Sequence, residues 1–339
     1  MNILVIGSEG FIGGFLMSAL LDHGHQVIGY DIASAGGARC GYFLMRNADL
    51  MDVDRLTDGC RGVDMVINLA AKHHDFGISR REFFEINEAG TQTILDVLSA
   101  VNIRRFVYYS SVAVYGDAQS CSSEETPLAP STDYGESKLA GEYAVDHWVR
   151  GDLNRAALII RPSVVFGPHN YANMYRLLDN IYRRRFVRVG RGDNLKTVSY
   201  VENLVSATVF LLPRLKPGVQ VFNYSDYPHF TSSQLVDMIK QALQRPRSRF
   251  HLPLRPVALS AELIDVVGRS LGLDFPITAK RIRKLNVTTW HGSDKLRALG
   301  FEQTVPIEEG ILRMVRWYLA TNGAGVSTSS RYQHAGRNA

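Results

Sequence analysis

The feature that most constrains the fold is a glycine-rich turn between an apolar segment and a helical one. Residues 2–6 form a short apolar run, and three glycines follow it in a G-x-x-G-x-x-G spacing. Glycine allows a tight turn, close packing of the helix on the strand, and approach of the backbone to a pyrophosphate at the helix N-terminus. We therefore predict a dinucleotide-binding turn whose cofactor contacts come from Gly7, Gly10, Phe11, Ile12 and Gly13.

Strand and helix signals alternate through the first half of the chain. Strand-like runs follow the first one at Gln26–Tyr30, Asp64–Leu69, Arg105–Ser110 and Leu158–Ile160. Alternation at this spacing is typical of βαβ units and of a parallel sheet covered on both faces. The predicted fold class is α/β: a Rossmann doubly wound parallel sheet with a second, smaller, mainly helical substrate lobe.

Asp31 ends the second predicted strand, eighteen residues after Gly13. A carboxylate at this place accepts hydrogen bonds from the adenosine ribose hydroxyls and repels a 2′-phosphate, which favours NAD over NADP. Asp49 and Leu50 follow a short third strand and are predicted to meet the adenine edge. The alternative for Asp49 is an ordinary turn acid, and spacing alone does not separate the two.

The pattern changes after Gly167, where connections lengthen and helices dominate. We predict an NAD-binding domain at residues 1–166, to which residues 196–212 return, and a substrate-binding lobe at residues 167–320. Residues 321–339 are rich in Gly, Ser, Thr, Asn and Arg without periodicity, so we predict a disordered tail.

Composition narrows the class of protein. The hydrophobic fraction of 45% and the charged fraction of 21% are those of a globular protein. No apolar run reaches the roughly 20 residues that span a bilayer, and a first strand at Asn2 leaves no room for a signal peptide. Cys40, Cys60 and Cys121 are scattered and lack metal-ligand spacing. We expect a cytoplasmic protein without disulfides and without a bound metal.

The net charge of +5 has several readings. Basic residues concentrate in 183–196 and 280–284, and they suit either a solvated surface or a phosphate or lipid-headgroup contact. Aromatic residues do not interleave these clusters, so nucleic acid is not an expected partner. Leu252–Leu273 is mostly apolar with interspersed charges. It is either an amphipathic helix in peripheral contact with the inner face of the cell membrane or a segment packed within the lobe or at a dimer contact.

Tyr134 and Lys138 are the candidate acid/base pair. A spacing of four residues puts both on one face of a helix. A neighbouring ammonium lowers the pKa of a tyrosine from its reference value near 10. Lys138 can also hydrogen-bond the nicotinamide ribose, so one residue positions both cofactor and base.

Ser111 is the candidate for the third catalytic group. It follows the strand that ends near Tyr109, and ligands of a doubly wound sheet bind beyond the carboxyl ends of its strands. A hydroxyl there can donate to the substrate oxygen that Tyr134 deprotonates. Ser110 is the alternative, a strand-end residue that hydrogen-bonds backbone or cofactor.

These motifs together resemble the extended short-chain dehydrogenase/reductase family, which includes the NAD-dependent sugar epimerases and dehydratases. The resemblance covers residues 1–320. Its motifs are Gly7-x-x-Gly10-x-x-Gly13, Asp31, Asp49, Asn68-Leu69-Ala70-Ala71, Asn87, Ser111, Tyr134-x-x-x-Lys138 and Arg161-Pro162. The resemblance implies further cofactor contacts from Leu69, Ala70, Ala71, Asn87, Ser110 and Pro162, and a homodimer, which is common in the family.

A finer resemblance points to one subgroup. Residues 69–75, 110–116, 166–175, 189–196 and 200–203 carry motifs similar to those of epimerases that interconvert N-acetylglucosamine and N-acetylgalactosamine on undecaprenyl diphosphate in O-antigen assembly. This implies C4 epimerisation of a diphosphate-linked N-acetylhexosamine through a 4-keto intermediate. A 4-keto-sugar reductase, a UDP-sugar 4-epimerase and a non-catalytic NAD-binding module remain alternatives.

Departures from the family pattern limit the chemistry. Dehydratases need an Asp-Glu pair where this chain has Val112 and Ala113, so dehydration is not expected. Val164 stands where many UDP-sugar epimerases have an asparagine that holds the diphosphate, and Lys196 aligns with a diphosphate-binding arginine. For Lys196 the alternative is an ordinary exposed lysine. The predicted substrate contacts are Lys72, Ser111, Val112, Val164, Asn173 and Lys196.

Overall fold

The computed structural model describes most of the chain and provides the bounds of its elements. The described residues are 1–33, 43–45 (backbone only), 48–73, 77–117, 121–247, 251–254, 256–257 and 287–322. The strands are β1 (Asn2–Ile6), β2 (Gln26–Tyr30), β3 (Phe43–Met45), β4 (Met65–Asn68), β5 (Arg105–Tyr109), β6 (Ala156–Pro162), β7 (Val164–Phe166), β8 (Leu195–Lys196), β9 (Val198–Tyr200), β10 (Gly218–Tyr224) and β11 (Phe230–Thr231).

Helices follow most of the strands. They are α1 (Phe11–Asp22), α2 (Val53–Gly59), α3 (Arg80–Phe84), α4 (Gly90–Ala100), α5 (Asp133–Arg150), α6 (Asn173–Tyr182), α7 (Val201–Leu211), α8 (Ser232–Ala242), α9 (Asp294–Ala298) and α10 (Ile307–Asn322). A π-helical turn at Glu85–Ala89 joins α3 to α4, and 3₁₀ turns lie at Val112–Tyr115 and Leu212–Arg214.

Seven parallel strands form the main sheet in the order β10-β6-β5-β4-β1-β2-β3. The chain starts at β1, proceeds outwards to β3, and then crosses back to β4 on the other side of β1. This reversal creates the switch point at which doubly wound sheets bind their ligands, beyond the carboxyl ends of β1 and β4. The predicted α/β parallel sheet is confirmed, and β10 at its edge is a strand that the sequence pattern did not predict.

Both faces of the sheet are buried because its strands carry mainly apolar residues on each face. In β1, Ile3 and Val5 pack against α1 and α7, whereas Leu4 and Ile6 pack on the opposite face towards α4 and α5. The two-residue period of a strand sends successive side chains to opposite faces, so a continuous apolar run requires a helical layer on each side. Helix α7, within the predicted returning segment, packs on α1 through Leu204.

Helices α6, α8 and α10 pack together around a third apolar cluster that includes Leu178, Ile239 and Met314. The division of the chain into two lobes at residue 166 stays a prediction. Helix α10 runs through Asn322, so the first two residues of the predicted tail are helical, and the remainder of that tail lies outside the described residues.

Other sequence predictions fall partly outside the described residues. Leu252–Leu273 lies mostly outside the described residues. The basic stretch at 280–284 and Cys40 lie wholly outside them. Within the described ranges, Cys60 and Cys121 are free thiols, and no group of histidine, cysteine and carboxylate side chains has the arrangement of a metal site. The described helices include none with the length and apolar character needed to cross a bilayer.

Candidate active site

The turn after β1 is built for the close approach of backbone to backbone. Gly7 has a φ of +80°, and its N–H donates to the carbonyl of Tyr30 over 2.9 Å. A Cβ on Gly7 would lie 2.8 Å from the backbone nitrogen of Ala70, and one on Gly13 would collide with the carbonyl oxygen of Gly7. The glycines therefore leave a side-chain-free cradle at the N-terminus of α1, as a pyrophosphate requires.

Asp31 lies beside this cradle. One of its carboxylate oxygens accepts from the backbone N–H of Glu9 over 2.8 Å, and the other accepts from that of Ala33 over 2.9 Å. Each oxygen has a further lone pair with which to accept from a ribose hydroxyl. Ser8, within the turn, is fully buried, and its Oγ has no hydrogen-bond partner in the described part of the chain. The residues present thus fit NAD, and Ser8 is a candidate contact that the sequence motif did not single out.

The predicted adenine-edge residues have separate surroundings. Asp49 is exposed and closes a turn, because its Oδ1 accepts from the backbone N–H of Met51 over 2.9 Å. This is the geometry of the turn-acid alternative, and the adenine contact remains a prediction. Leu50 is buried against Gly90, where a Cβ would collide with the leucine side chain.

Asn87 braces the loop that follows β4. It lies in the π-helical turn, is fully buried, and its amide exchanges hydrogen bonds of 2.9 and 3.0 Å with the backbone N–H and carbonyl of Lys72. The same amide donates to Ser137 on α5 over 2.9 Å, and Ser137 donates to the carbonyl of Tyr134. Asn87 thus holds the loop containing Ala70 and Ala71 against the helix of Tyr134. Its direct contact with the cofactor remains a prediction.

Lys138 is the central buried charge of the site. Only 1% of the residue is exposed, and its Nζ lies 4.3 Å from the centre of the Tyr108 ring on β5. Burial lowers the pKa of Lys138 to about 7, against the opposing effect of the Glu142 carboxylate. Tyr134, one turn earlier on α5, is half-buried with the Phe83 ring 6.1 Å away. The predicted pair therefore lies on one face of one helix.

Ser111 caps the 3₁₀ turn after β5. Its Oγ accepts from the backbone N–H of Ala113 over 3.1 Å, which leaves its own proton free to donate elsewhere. Helix α5 packs tightly on this turn, because a Cβ on Gly135 would lie only 2.6 Å from the carbonyl oxygen of Ala113. The fold thus brings Ser111 and Val112 next to the first turn of α5, which carries Tyr134.

Ser110 has a different role from its neighbour. It is buried, its N–H donates to the carbonyl of Ile160 over 2.8 Å, and its hydroxyl donates to Glu142 over 2.5 Å. Sequence reasoning missed Glu142, which forms a buried two-point ion pair with Arg161 on β6. The signal that could have found it is its spacing, four residues after Lys138 on the same helical face.

The predicted substrate contacts are only partly brought together. Val164 on β7 is 42% exposed and pairs with Val198, two residues beyond Lys196. The Nζ of Lys196 donates to the carbonyl of Val287 over 2.6 Å, so one of its three protons is already used. Asn173 is exposed at the first residue of α6, and Lys72 is half-buried after β4. Pro162 is buried at the end of β6.

Comparison with known proteins agrees with this geometry. The family model described as NAD dependent epimerase/dehydratase matches residues 3–224. An N-acetyl-alpha-D-glucosaminyl-diphospho-ditrans,octacis-undecaprenol 4-epimerase of Escherichia coli O157:H7 is 28% identical over 93% of this chain and 95% of its own length. A UDP-glucose 4-epimerase of Vibrio cholerae is 25% identical over 95% of this chain and 96% of its own length. The crystal structure of a UDP-glucuronic acid 4-epimerase from Bacillus cereus in complex with NAD superposes with a TM-score of 0.76. The superposition covers 95% of this chain and 99% of the other, and the two sequences are 20% identical.

The match of the family model extends from β1 to the end of β10, across the whole main sheet and every candidate catalytic residue. The family resemblance predicted from the glycine turn and the Tyr134–Lys138 pair is confirmed, and with it the dependence on NAD. This protein belongs to the NAD-dependent epimerase/dehydratase family.

Proposed function

We propose that the protein is a 4-epimerase that inverts C4 of an N-acetylhexosamine carried on undecaprenyl diphosphate. The observation that carries the proposal is the grouping of a buried Lys138, Tyr134 and Ser111 on α5 and the adjoining 3₁₀ turn, beyond the carboxyl end of β5. These are the groups needed to remove and return a proton at a sugar hydroxyl beside a nicotinamide.

Each residue has a defined task in this reaction. Tyr134, as the phenolate, takes the proton from the C4 hydroxyl, and cationic Lys138 one helical turn away stabilises that phenolate. Ser111 donates a hydrogen bond to the same sugar oxygen as charge develops on it. Bound NAD supplies the acceptor for the C4 hydride and the source from which it returns. Tyr134 gives the proton back after the 4-keto sugar has turned about its diphosphate link, which inverts C4.

The 3₁₀ turn disfavours dehydration. Val112 and Ala113 occupy the positions at which dehydratases are expected to hold an acidic pair, and neither can protonate a leaving C6 hydroxyl. A 4-keto intermediate formed here is therefore expected to be reduced back to an alcohol.

Two observations support the lipid carrier. The relative from Escherichia coli O157:H7 covers nearly the whole chain and acts, by its name, on an undecaprenol-linked sugar. In this chain Val164 exposes an apolar side chain where an amide is expected to hold the diphosphate of a UDP-sugar. A lipid-linked substrate would place the enzyme at the cytoplasmic face of the membrane, in the assembly of a surface polysaccharide such as O-antigen. We also propose that it acts as a homodimer.

The experiment is a parallel incubation of NAD-loaded protein with undecaprenyl-diphosphate N-acetylglucosamine and with UDP-N-acetylglucosamine, followed by analysis of the released sugar. We expect N-acetylgalactosamine from the lipid-linked substrate, none from the Tyr134→Phe variant, and little from the nucleotide. The absence of conversion of either substrate would refute the epimerase assignment.

A UDP-sugar 4-epimerase is the second candidate. The similarity to the UDP-glucose 4-epimerase of Vibrio cholerae favours it, because that relative also spans nearly the whole chain. Faster turnover of the nucleotide substrate in the same assay would select it. A 4-keto-sugar reductase would instead consume added reduced cofactor, usually NADPH, which Asp31 disfavours.

A further inference from the structure

A buried ion pair lies directly behind the catalytic residues. Glu142 on α5 and Arg161 on β6 are both almost fully buried, and the guanidinium donates to the two carboxylate oxygens over 2.8 and 2.5 Å. The Ser110 hydroxyl donates to the same carboxylate over 2.5 Å. Arg161 also donates through Nη1 to the Tyr115 hydroxyl over 2.7 Å. One carboxylate thus connects the catalytic helix, the end of β5 and the neighbouring strand.

The position of Glu142 sets it apart from an ordinary buried pair. Tyr134, Lys138 and Glu142 follow one another at intervals of four, so they line one face of α5. In the protein interior a charge acts on a group one helical turn away far more strongly than it does in water. We propose, resting on the function above, that Glu142 clamped by Arg161 is a positioning residue: it keeps Lys138 cationic beside Tyr134 and fixes the strand end that carries Ser111.

The charges around Lys138 support this role. Burial opposes its ammonium, and Glu142 is the group that favours it. From other elements, the Tyr108 ring on β5 faces Lys138, whereas Arg161 on β6 contacts Glu142 and Tyr115 on the 3₁₀ turn contacts Arg161. At the surface end of α5, Arg80 from α3 pairs with Asp133 and Glu136. Glu142 is thus the carboxylate in the described part of the site that lies both buried and on the face of Lys138.

The same carboxylate also acts on Ser111 through its neighbour. Holding the Ser110 hydroxyl fixes the last residue before Ser111. The hydrogen bond from Arg161 to Tyr115 fixes the last residue of the turn that Ser111 caps. A purely structural pair would join two elements, whereas this one fixes the position of the Tyr134 helix relative to the Ser111 hydroxyl.

The experiment compares Glu142→Gln with a charge-balanced Glu142→Gln/Arg161→Met variant, since the single variant leaves Arg161 buried without its partner and can fail to fold. Asp146→Asn is the matched control, because Asp146 lies on the same helix and pairs with Arg150 at the surface. The Tyr134 phenolate is titrated by ultraviolet difference absorbance of NAD-bound protein. Each form is measured against its own Tyr134→Phe counterpart, and thermal unfolding is recorded alongside.

Loss of Glu142 should release the proton of Lys138, which removes the cation that stabilises the phenolate. We expect the Tyr134 midpoint to rise by about one pH unit or more. At pH 7, kcat should fall about tenfold with KM little changed, and the deficit should shrink as pH rises. If Lys138 kept its proton, removal of a nearby negative charge would leave the midpoint unchanged or lower it. Either result would overturn the proposal, whether or not the unfolding temperature fell, and a lowered unfolding temperature beside it would show that the ion pair stabilises the fold only.

The titration uses no sugar, so it separates the two proposals. A raised midpoint in protein that epimerises neither substrate would sustain the role of Glu142 and refute the proposed function. Turnover with an unchanged midpoint would do the reverse. Arg161→Lys, which keeps the charge but loses the two-point geometry, should retain a midpoint close to that of the unchanged protein.

Discussion

The cofactor turn and the catalytic helix achieve precision by opposite means. At the turn after β1, the geometry comes from the absence of side chains, so that Gly7 approaches the backbone of Ala70 and Gly13 that of Gly7. On α5 it comes from buried charged side chains, Lys138 and Glu142, whose positions depend on partners from two other strands. The glycine spacing that permits the turn is a local sequence motif, whereas the charged side chains of the helix need partners from the assembled sheet. Substitutions at the two regions should therefore fail differently.

The largest expected effect is on the helix. Tyr134→Phe should keep NAD bound but lose turnover by about 10²- to 10⁴-fold, because the phenyl ring can neither accept nor return a proton. Initial rates of sugar conversion together with the NAD content of the purified protein measure both parts. Tyr143→Phe is the control, since Tyr143 lies on the same helix with an exposed hydroxyl. Turnover within a few-fold of the parent would remove Tyr134 from the reaction.

At the turn, the expected defect is in binding instead. Gly13→Ala introduces a Cβ that collides with the carbonyl of Gly7, and strain of about 1–3 kcal/mol lowers NAD affinity about 10- to 100-fold. Titration of the NAD-free protein with NAD gives the Kd. Gly62→Ala is the control for strain outside the cradle, because the positive φ of Gly62 disfavours alanine while an added Cβ there meets open space. Equal losses of affinity in both variants would show that the crowding at Gly13 is not specific to the cradle.

This contrast also explains what the sequence could predict. The glycine spacing and the strand of residues 2–6 are local, and the observed β1, turn and α1 follow the prediction closely. The Tyr134–Lys138 pair lies within one helix, so its spacing alone predicts that both side chains share a face. Arg161 meets Glu142 across 19 residues and two elements, and the hydroxyl of Tyr115 joins them from a third. Sequence periodicity does not predict this three-residue contact, because it depends on β5 and β6 being neighbours in the sheet.

The helix should also show a pH signature that the turn lacks. The pKa of Lys138 is lowered to about 7 in the folded state from 10.5, so between these values the unfolded chain binds a proton that the folded one does not. Stability should therefore rise with pH across this window, and the cost of the buried ammonium is fully present below about pH 7. Because other groups titrate as well, the difference between the parent and Lys138→Met isolates this residue.

We expect urea unfolding to show the parent gaining about 2 kcal/mol relative to Lys138→Met between pH 7 and pH 9. The same comparison with Lys216→Met, an exposed lysine, should give no relative change. Parallel stability curves for the parent and Lys138→Met would mean that Lys138 retains its proton in the folded state throughout this range.

The smallest expected effect is at Asp31, where the turn region does depend on a charge. Asp31→Asn keeps an acceptor oxygen for only one of the backbone N–H groups of Glu9 and Ala33, and it loses the negative charge that strengthens hydrogen bonds from the ribose. NAD affinity should fall about tenfold, whereas NADP affinity should rise because repulsion of the 2′-phosphate is gone. Kd values for both cofactors, with Asp22→Asn as an exposed control, measure the ratio. An unchanged ratio would show that backbone alone selects the cofactor, and the turn would then differ from the catalytic helix in needing no charge at all.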